Sequence, residues 1–271
     1  MSSNQEQIEY WNERAGETWA ELQDRLDALL APLSAAGLAA ANVRSGERVL
    51  DVGCGCGDTS IALNAMGANV LGVDVSGPML ARARSRDASI EYHQADAATT
   101  DFDHEFDLVF SRFGVMFFDD PRAAFKNLCS ALKPGGRLLF VCWQPPAVNP
   151  WMATAGRAIA PYLPPSDEAP DPRAPGPFAF ADAHYVEQIL QDAGFSNIQI
   201  KAHGASLKVA DTLAEAVQFQ SRVGPAARVM SELEGDQCAQ ALAAVEEALR
   251  PFDEGSGLHL DSAVWLVSAK T

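Results

Sequence analysis

The sequence predicts an α/β protein with a mostly parallel sheet that is covered by helices on both faces. Short apolar, β-branched runs alternate with helical patterns from about residue 47 to residue 143. Such alternation is typical of a parallel sheet with right-handed crossovers. Runs such as VLGV and LLFV are apolar at nearly every position, as expected of strands that are buried on both faces.

The predicted elements of this region follow one another in a simple order. Residues 5–42 carry apolar residues near helical spacing and predict two or three helices. The predicted strands are ERVLDVG, ANVLGVDVS, IEYHQAD, FDLVFSRFG and RLLFVCW. The predicted helices between them are DTSIALNAMG, GPMLARARSR and PRAAFKNLCSALKPGG, the last closed by its Pro-Gly-Gly.

After Trp143 the pattern changes. A helix, the Pro-rich stretch PPSDEAPDPRAPGPFAFAD, a second helix (AHYVEQILQDAGF) and the strand NIQIKAH are followed by helices over 211–250 and a last strand, HLDSAVWLVSA. Long ordered loops serve function more often than mere connection. We therefore expect three parts: a helical cap at 1–44, a ligand-binding core at 45–145, and a C-terminal part of the same sheet at 146–271. The insertion at about 211–250 could form a lid or pair two chains in a homodimer.

Composition and charge narrow the range of functions. The chain has 271 residues, 48% of them hydrophobic, and a formal net charge of −16. That charge disfavours nucleic acids, because Lys and Arg must neutralise their phosphates. No signal-like segment and no run of roughly 20 apolar residues is present, and five cysteines do not form a disulfide framework. We expect a reduced, cytoplasmic protein that binds neither nucleic acid nor membrane.

The stretch VLDVGCGCGDTS, residues 49–60, contains two thiols that could form a metal or redox pair. A structural zinc site needs four ligands, usually from two such pairs. The sequence holds no second C-x-C, C-x-x-C or H-x-x-x-H beside Cys54 and Cys56. We therefore expect no metal, and we interpret these cysteines as small residues between the glycines.

The glycines of the same stretch give a stronger signal. Gly53, Gly55 and Gly57 follow a buried strand and precede a helix, and glycines at such a turn let the backbone approach a ligand closely. The dinucleotide motif G-x-G-x-x-G would place its third glycine at position 58. The chain has Asp58 there, which argues against NAD.

Two acidic residues follow the next strands. Asp74 ends the second strand, where a carboxylate can accept hydrogen bonds from both ribose hydroxyls, and Asp96 ends the third, where it could meet an adenine amino group. Either could alternatively be a helix cap. Because the carboxyl ends of parallel strands meet at one edge of the sheet, we expect both acids and the glycine turn to bind one nucleoside-containing cofactor.

These motifs resemble those of a known family. VLDVGCGCGDTS, VLGVDVSGPML, YHQADA, FDLVFSRFGVMFF and LKPGGRLLFVCW are similar to the successive motifs of class I S-adenosylmethionine-dependent methyltransferases, nearest to the small-molecule enzymes of the ubiquinone/menaquinone-biosynthesis type. The resemblance covers about residues 45–145. It implies S-adenosyl-L-methionine as cofactor, S-adenosyl-L-homocysteine as product, and a Rossmann-like seven-stranded sheet ordered 3-2-1-4-5-7-6 with strand 7 antiparallel.

The resemblance also implies roles for residues at the methionine end of the cofactor. Gly53, Gly55 and Gly57 would face the methionine part. Asp51 would support the loop, and Ser111 would lie near the sulfonium. The related nucleic-acid and protein amide methylases carry an Asn/Asp-Pro-Pro-Tyr segment after the fourth strand, where this chain has SRFGV. A base or an amide nitrogen is therefore disfavoured as the methyl acceptor.

At the adenosine end the resemblance implies a second set of contacts. Asp74 would hold the ribose. Val75 and Met79 would pack against the adenine, and Asp96 with the backbone of Ala97 would bind its edge.

Candidates for the acceptor side follow from residue type and position. Trp11 and Trp19 on the N-terminal helices and Phe113 after the fourth strand could line a pocket, because small-molecule sites are concave and mostly apolar. His203, the last residue of NIQIKAH and expected to follow the sixth strand, and His184, after the Pro-rich loop, are candidate general bases. We expect methyl transfer to a small, apolar or aromatic metabolite.

Two alternatives stay open at this point. An NAD-dependent oxidoreductase predicts a glycine at position 58 and a Tyr-x-x-x-Lys or comparable apparatus, and the sequence shows neither. A pseudoenzyme or regulator that binds S-adenosylmethionine or S-adenosylhomocysteine would keep the fold without turnover, and no obligatory catalytic residue distinguishes it.

Overall fold

A computed structural model describes residues 4–103, 105–162, 171–230, 233 and 235–271, with the side chains of Arg14, Pro225 and Arg228 excepted. Among the described residues the strands are β1 (Arg48–Val52), β2 (Asn69–Asp74), β3 (Glu91–Gln94), β4 (Phe106–Arg112), β5 (Leu132–Trp143), β6 (Ser196–Ala210) and β7 (Leu258–Lys270). They form one sheet in the order β3-β2-β1-β4-β5-β7-β6. β1 to β5 pair in parallel, and β7 is antiparallel to β5. The predicted fold class and strand order are confirmed.

Helices precede and connect these strands. They are α1 (Gln5–Asn12), α2 (Arg14–Glu21), α3 (Gln23–Ala41), α4 (Asp58–Ala65), α5 (Gly77–Arg86), α6 (Pro121–Ala131), α7 (Pro150–Ile159), α8 (Ala183–Asp192), α9 (Leu213–Gln220), α10 (Pro225–Met230) and α11 (Gly235–Leu249). The N-terminal helices and the helical insertion are where the sequence predicts them. No described helix is both long and apolar enough to cross a membrane.

The chain divides into two compact units. The first holds Met1–Trp143, Arg173–His203 and Val264–Thr271, and the second holds Gln144–Pro172 and Gly204–Ala263. Within the second unit, α7 packs against α10 and α11. The boundaries at 44/45 and 145/146 that the sequence suggests for the domains stay a prediction.

The centre of the sheet forms because its strands are apolar on both faces. Val49 and Leu50 on β1 and Leu108 and Phe110 on β4 are fully buried. β1 pairs with β2 from Arg48↔Asn69 to Val52↔Val73, so the two strands end together. Burial of this kind is the main stabilising contribution, on the order of 1.5–3 kcal/mol per large apolar side chain.

The register also places the ends of the first four strands at one edge of the sheet. Asp74 on β2 pairs with Gln94 on β3, and Asp51 on β1 pairs with Phe110 on β4. The segments that follow these strands are therefore neighbours. They are the segments to which the sequence assigns the ligand.

Two element boundaries differ from the predictions. The helix expected to run into Pro-Gly-Gly ends at Ala131, and Leu132 already pairs with Phe106 on β4. The register then shifts between Phe106 and Leu108, an irregularity that accommodates Pro134 at a point where a strand can lack a donor.

The second difference concerns the strand that begins at NIQIKAH. β6 continues to Ala210. Exposed and buried residues alternate near its end, as expected of a half-buried strand. His203 therefore lies within the strand, and its predicted position after the strand is wrong.

Candidate cofactor and active site

The glycine loop joins β1 to α4, and its three glycines have left-handed backbone. The φ angles are 66° at Gly53, 54° at Gly55 and 84° at Gly57. A Cβ atom at Gly53 would lie 2.6 Å from Cα of Gly114, and one at Gly57 would lie 2.6 Å from the hydroxyl of Tyr92. Both conformation and space therefore exclude side chains at these positions, the property that lets a backbone approach a ligand closely.

Cys54 and Cys56 lie between these glycines and are 5% and 2% exposed. Burial raises the pKa of Cys56 to about 12 and raises the pKa of Cys54 as well, so both are neutral thiols at physiological pH. A metal ligand or a redox nucleophile would need the thiolate. Across the part of the chain that the structure describes, no group of three or more His, Cys, Asp or Glu could hold a metal ion.

Asp74 connects the glycine loop to the turn after β2. Its Oδ2 accepts a hydrogen bond from the Gly55 N–H at 2.8 Å, and its Oδ1 accepts one from the Ser76 N–H at 2.8 Å. Burial raises the pKa of Asp74, and these backbone bonds oppose that rise. Each carboxylate oxygen has a second lone pair, so the group can still accept from a diol such as the two hydroxyls of a ribose.

Asp96 follows β3 and carries an acceptor that the protein leaves unused. Its Oδ1 accepts from the Ala98 N–H at 2.9 Å. Its Oδ2 is buried and has no hydrogen-bond partner among the described residues. The next residue, Ala97, is buried, as is Met79, whose terminal methyl group lies next to Gly55. A buried acceptor without a donor is costly, and an exocyclic amino group in an apolar slot would satisfy it.

Asp51 lies beneath the loop, at the end of β1, and is fully buried. Its Oδ2 accepts from the hydroxyls of Thr59 and Ser60 at 2.8 and 2.6 Å. Burial raises the pKa of Asp51 to about 6, and the two hydroxyl bonds oppose the rise. The carboxylate thus ties β1 to the first turn of α4 and supports the loop between them.

Ser111 and Arg112 end β4 beside the loop. Ser111 is buried, and its Oγ accepts from the Gly114 N–H at 3.3 Å. Arg112 forms a 2.7 Å ion pair with Asp58, the first residue of α4, and also donates to the hydroxyl of Ser34 on α3. The charge at position 58 is therefore balanced by the strand next to it.

A second ion pair that sequence reasoning missed holds the loop from the other side. Arg86 on α5 donates to the carbonyl of Cys56 at 2.8 Å and to Asp27 on α3 at 2.7 Å. The only sequence signal is that Asp27 interrupts the apolar positions of α3, as a solvent-facing residue also would. Partners 59 residues apart follow from the tertiary fold and not from spacing.

Helices α1 and α2 bring aromatic residues to the end of β4. The Trp11 ring lies edge to face with Trp19 at 5.8 Å between centroids and with Phe117 at 5.2 Å. Phe117 belongs to a 3₁₀ turn, Val115–Phe117, that follows β4. Asn12, which sequence reasoning missed, binds the turn after β2.

Phe113 has an unusual backbone conformation. Its φ is 64°, which is rare for a bulky residue, while its ring stacks on Trp143 at 4.2 Å with an interplanar angle of 2°. Trp143 is buried and Phe113 half-buried. Strain of this kind, on the order of 1–3 kcal/mol, is often found at functional sites.

Of the two candidate histidines, His203 lies apart from this cluster. β5 and β7 separate His203 on β6 from β4 in the sheet order, a distance of roughly 14 Å at the usual strand spacing. His184 is exposed at the start of α8, with its Nε2 3.0 Å from Nε2 of Gln188. The structure brings together the glycine loop, the acids and the aromatic residues, and leaves His203 outside.

Comparison with known proteins agrees with this geometry. A family model described as a methyltransferase domain matches residues 50–140. An uncharacterised protein of Mycobacterium tuberculosis is 31% identical over 220 residues, which cover 79% of this chain and 77% of that protein. Demethylmenaquinone methyltransferase of Clavibacter sepedonicus is 40% identical over 108 residues, 38% of this chain and 44% of the relative.

Solved structures share the fold at low sequence identity. The YcgJ protein of Bacillus subtilis is 17% identical, with a TM-score of 0.56 over 88% of this chain and 97% of its own. Phosphoethanolamine N-methyltransferase 2 of Haemonchus contortus, in complex with S-adenosyl-L-methionine, is 21% identical with a TM-score of 0.54. The match covers 89% of this chain and spans about half, 52%, of that enzyme. By its matched domain, its relatives and its strand order, the chain belongs to the class I S-adenosylmethionine-dependent methyltransferases.

Proposed function

We propose that the protein transfers the methyl group of S-adenosylmethionine to a small, apolar or aromatic metabolite. The observation that carries this proposal is the contact between the glycine loop and the turn after β4. A Cβ at Gly53 would lie 2.6 Å from Cα of Gly114, between Phe113 and the 3₁₀ turn that holds Phe117. The aromatic residues thus border the loop that would hold the methionine end of the cofactor.

The residues present fit the cofactor. The ribose would be held by Asp74, whose oxygens keep free lone pairs, and the adenine amino group by the unpartnered Oδ2 of Asp96. Val75, Met79 and Ala97 would form the apolar slot for the ring. The backbone of Gly53, Gly55 and Gly57 would face the methionine part, with Asp51 beneath it and Ser111 beside it.

When bound, the cofactor supplies a methyl group activated by a sulfonium. The chain contributes position, because an in-line displacement gains most from holding the nucleophile and the methyl group in a near-attack geometry. Trp11, Trp19 and Phe113 would orient the acceptor and exclude water from the reacting atoms. This role needs no histidine. As general bases, His203 and His184 remain weaker proposals, because His203 lies across the sheet and His184 is exposed on α8.

The rival cofactor is disfavoured by the start of α4. A dinucleotide places its pyrophosphate at this helix N-terminus, where the chain has Asp58 in an ion pair with Arg112. A carboxylate there would repel the phosphates, and Arg112 is already engaged.

The proposed location and assembly rest on fewer observations. The five cysteines, two of them buried between the loop glycines, are free, which supports the reducing cytoplasm. The α9–α11 segment is proposed to pair two chains, and sedimentation at several protein concentrations distinguishes a monomer from a homodimer.

A panel of metabolites tests the acceptor. The purified protein is incubated with S-adenosylmethionine and with quinols, phenols, amino alcohols and phosphoethanolamine, and S-adenosylhomocysteine formation is measured. We expect turnover with an apolar or aromatic acceptor. Turnover with phosphoethanolamine alone would contradict the proposal, and no turnover with any acceptor, despite cofactor binding, would favour the regulator.

The variant Phe113→Asn examines the acceptor wall. Asparagine tolerates φ near 60°, and the chain already uses it at Asn42 and Asn197, whose φ angles are 46° and 50°. Relief of strain offsets the lost stacking, each on the order of 1 kcal/mol, so stability should change little. We expect the KM for the acceptor to rise roughly tenfold while S-adenosylhomocysteine affinity is kept. An unchanged KM would exclude Phe113 from the acceptor site.

A further inference from the structure

Helix α1 is attached to the protein in an unusual way. None of the residues Gln5–Asn12 is buried. A surface helix is ordinarily held by an apolar face that packs into the core. The contacts that hold α1 must therefore be found among its polar and aromatic side chains.

The side chain of Asn12 makes four hydrogen bonds, three of them to residues outside α1. Its Nδ2 donates to the carbonyls of Ile8 and Val75 at 2.7 and 2.8 Å. Its Oδ1 accepts from the Gly77 N–H at 2.9 Å and from Nε2 of Gln94 at 3.1 Å. A primary amide has two N–H donors and two acceptor lone pairs, so the capacity of Asn12 is filled.

Three of these four bonds end on segments of the cofactor site. Val75 and Gly77 flank Ser76, whose N–H is bound by Asp74. Gln94 is the last residue of β3, two positions before Asp96, and it also donates to the Val75 carbonyl at 3.0 Å. Asn12 thus joins the ends of β2 and β3, which flank the adenosine site.

The neighbouring residues fix α1 at two further points. Trp11 contacts Phe117, after β4. Gly16, on α2, lies so close to α1 and to the turn after β2 that a Cβ there would clash with the carbonyl of Trp11 and lie 2.6 Å from Oγ of Ser76. The last two residues of α1 therefore contact the ends of β2 and β3 and the turn after β4.

We propose that Asn12 is a positioning residue that latches α1 across the ends of β2 and β3 and makes this helix the movable cover of the adenosine end of the cofactor site. The cover must open whenever the product, S-adenosylhomocysteine, leaves and a new S-adenosylmethionine binds. A helix without buried side chains opens locally at low free energy, and the latch sets how often it does so. The inference rests on the cofactor site and is independent of the acceptor.

The test compares Asn12→Leu, which removes all four bonds at similar volume, with Gln5→Leu. Gln5 lies on the same helix, and among the described residues its amide donates to Glu9 alone, at 2.8 Å on an exposed surface. Amide hydrogen exchange over residues 5–12 is measured with and without S-adenosylhomocysteine, together with the rate of S-adenosylhomocysteine dissociation by stopped flow.

In the cofactor-free protein we expect Asn12→Leu to accelerate exchange over 5–12 about tenfold, as loss of one to two net hydrogen bonds implies. We also expect S-adenosylhomocysteine to dissociate about tenfold faster, with exchange in β1 and β4 unchanged. Gln5→Leu should behave as the wild type in both measurements. Unchanged exchange and dissociation in Asn12→Leu would overturn the proposal, as would equal effects of the two variants.

If Asn12→Leu does not fold, Asn12→Asp is measured in its place. It keeps the acceptor for Gly77 and Gln94 but loses the donor to Val75, so exchange and dissociation should both accelerate, to a smaller extent. Wild-type dissociation in this variant would equally overturn the latch. Because both readouts are free of methyl transfer, an acceptor different from the proposed one leaves the result unchanged.

Discussion

At the scale of single residues, the site uses carboxylates for three different tasks. Asp51 is buried beneath the loop and binds two hydroxyls through Oδ2, Asp74 binds two backbone amides, and Asp96 binds one backbone amide through Oδ1. Within the described chain, Oδ2 of Asp96 and Oδ1 of the more deeply buried Asp51 have no hydrogen-bond partner. The same functional group thus serves as support, clamp and open acceptor. Its surroundings decide which.

The variant Asp74→Ala tests the clamp. We expect S-adenosylhomocysteine affinity to fall by one or two charge-assisted hydrogen bonds, about 1.5–3 kcal/mol each, because both the ribose acceptor and the tie to Gly55 are lost. Titration calorimetry measures the change. Asp87→Ala is the matched control, since Asp87 at the end of α5 binds Ser89 alone within the described part of the chain. Equal affinities in all three proteins would show that Asp74 does not hold the ribose.

Some residues of the site could be predicted from the sequence and others could not. The loop glycines, Asp74 and Asp96 directly follow strands, so their positions depend on strand order alone. Asn12 and Arg86 act on partners 63 and 30 residues away, and nothing in their local sequence distinguishes them from surface residues. The left-handed conformation of Phe113 is likewise invisible in a sequence, since a glycine would be expected there.

At the scale of elements, β1, the glycine loop and α4 form one mechanical unit. Asp51 at the end of the strand binds the first turn of the helix, so the loop is held from both ends. The ends of helices and strands can be predicted from the spacing of apolar residues only where that spacing is purely helical or purely that of a strand. The helical pattern before β5 suggests that α6 continues to Pro-Gly-Gly. Strand β5 instead begins at Leu132, because Leu132 pairs with Phe106 on β4.

The pKa of Asp51 gives this unit a pH dependence. The value of about 6 in the folded protein exceeds the roughly 3.9 of an unfolded chain, so the native state binds more protons between these values. The free energy of unfolding should therefore fall as the pH rises from about 4 to about 6 on account of this group, by about 3 kcal/mol.

Asp51→Asn removes the titration, so its unfolding free energy should decline less than that of the wild type between pH 4 and pH 7 in urea unfolding. Asp87→Asn is the control. Hydrogen bonds from Ser89 lower the pKa of Asp87, so its contribution to stability changes only below pH 4, and this variant should keep the wild-type slope between pH 4 and pH 7. Parallel curves for the wild type and Asp51→Asn would contradict the assignment.

At the scale of the whole molecule, the sheet assembles the site from segments that are distant in the chain. The parallel register brings the ends of β1 to β4 to one edge, and the end of α1 contacts that edge through Trp11 and Asn12. The alternation of strands and helices is sufficient to predict this arrangement. The acceptor is not encoded so regularly, because its pocket depends on aromatic side chains from several elements.

The central claim is that the glycine loop and the two acids bind S-adenosylmethionine and not a dinucleotide. Titration calorimetry of the purified protein with S-adenosylhomocysteine and with NAD, each in separate experiments, tests it most directly. We predict saturable binding of S-adenosylhomocysteine at one site per chain and no binding of NAD. Binding of NAD without binding of S-adenosylhomocysteine would contradict the account.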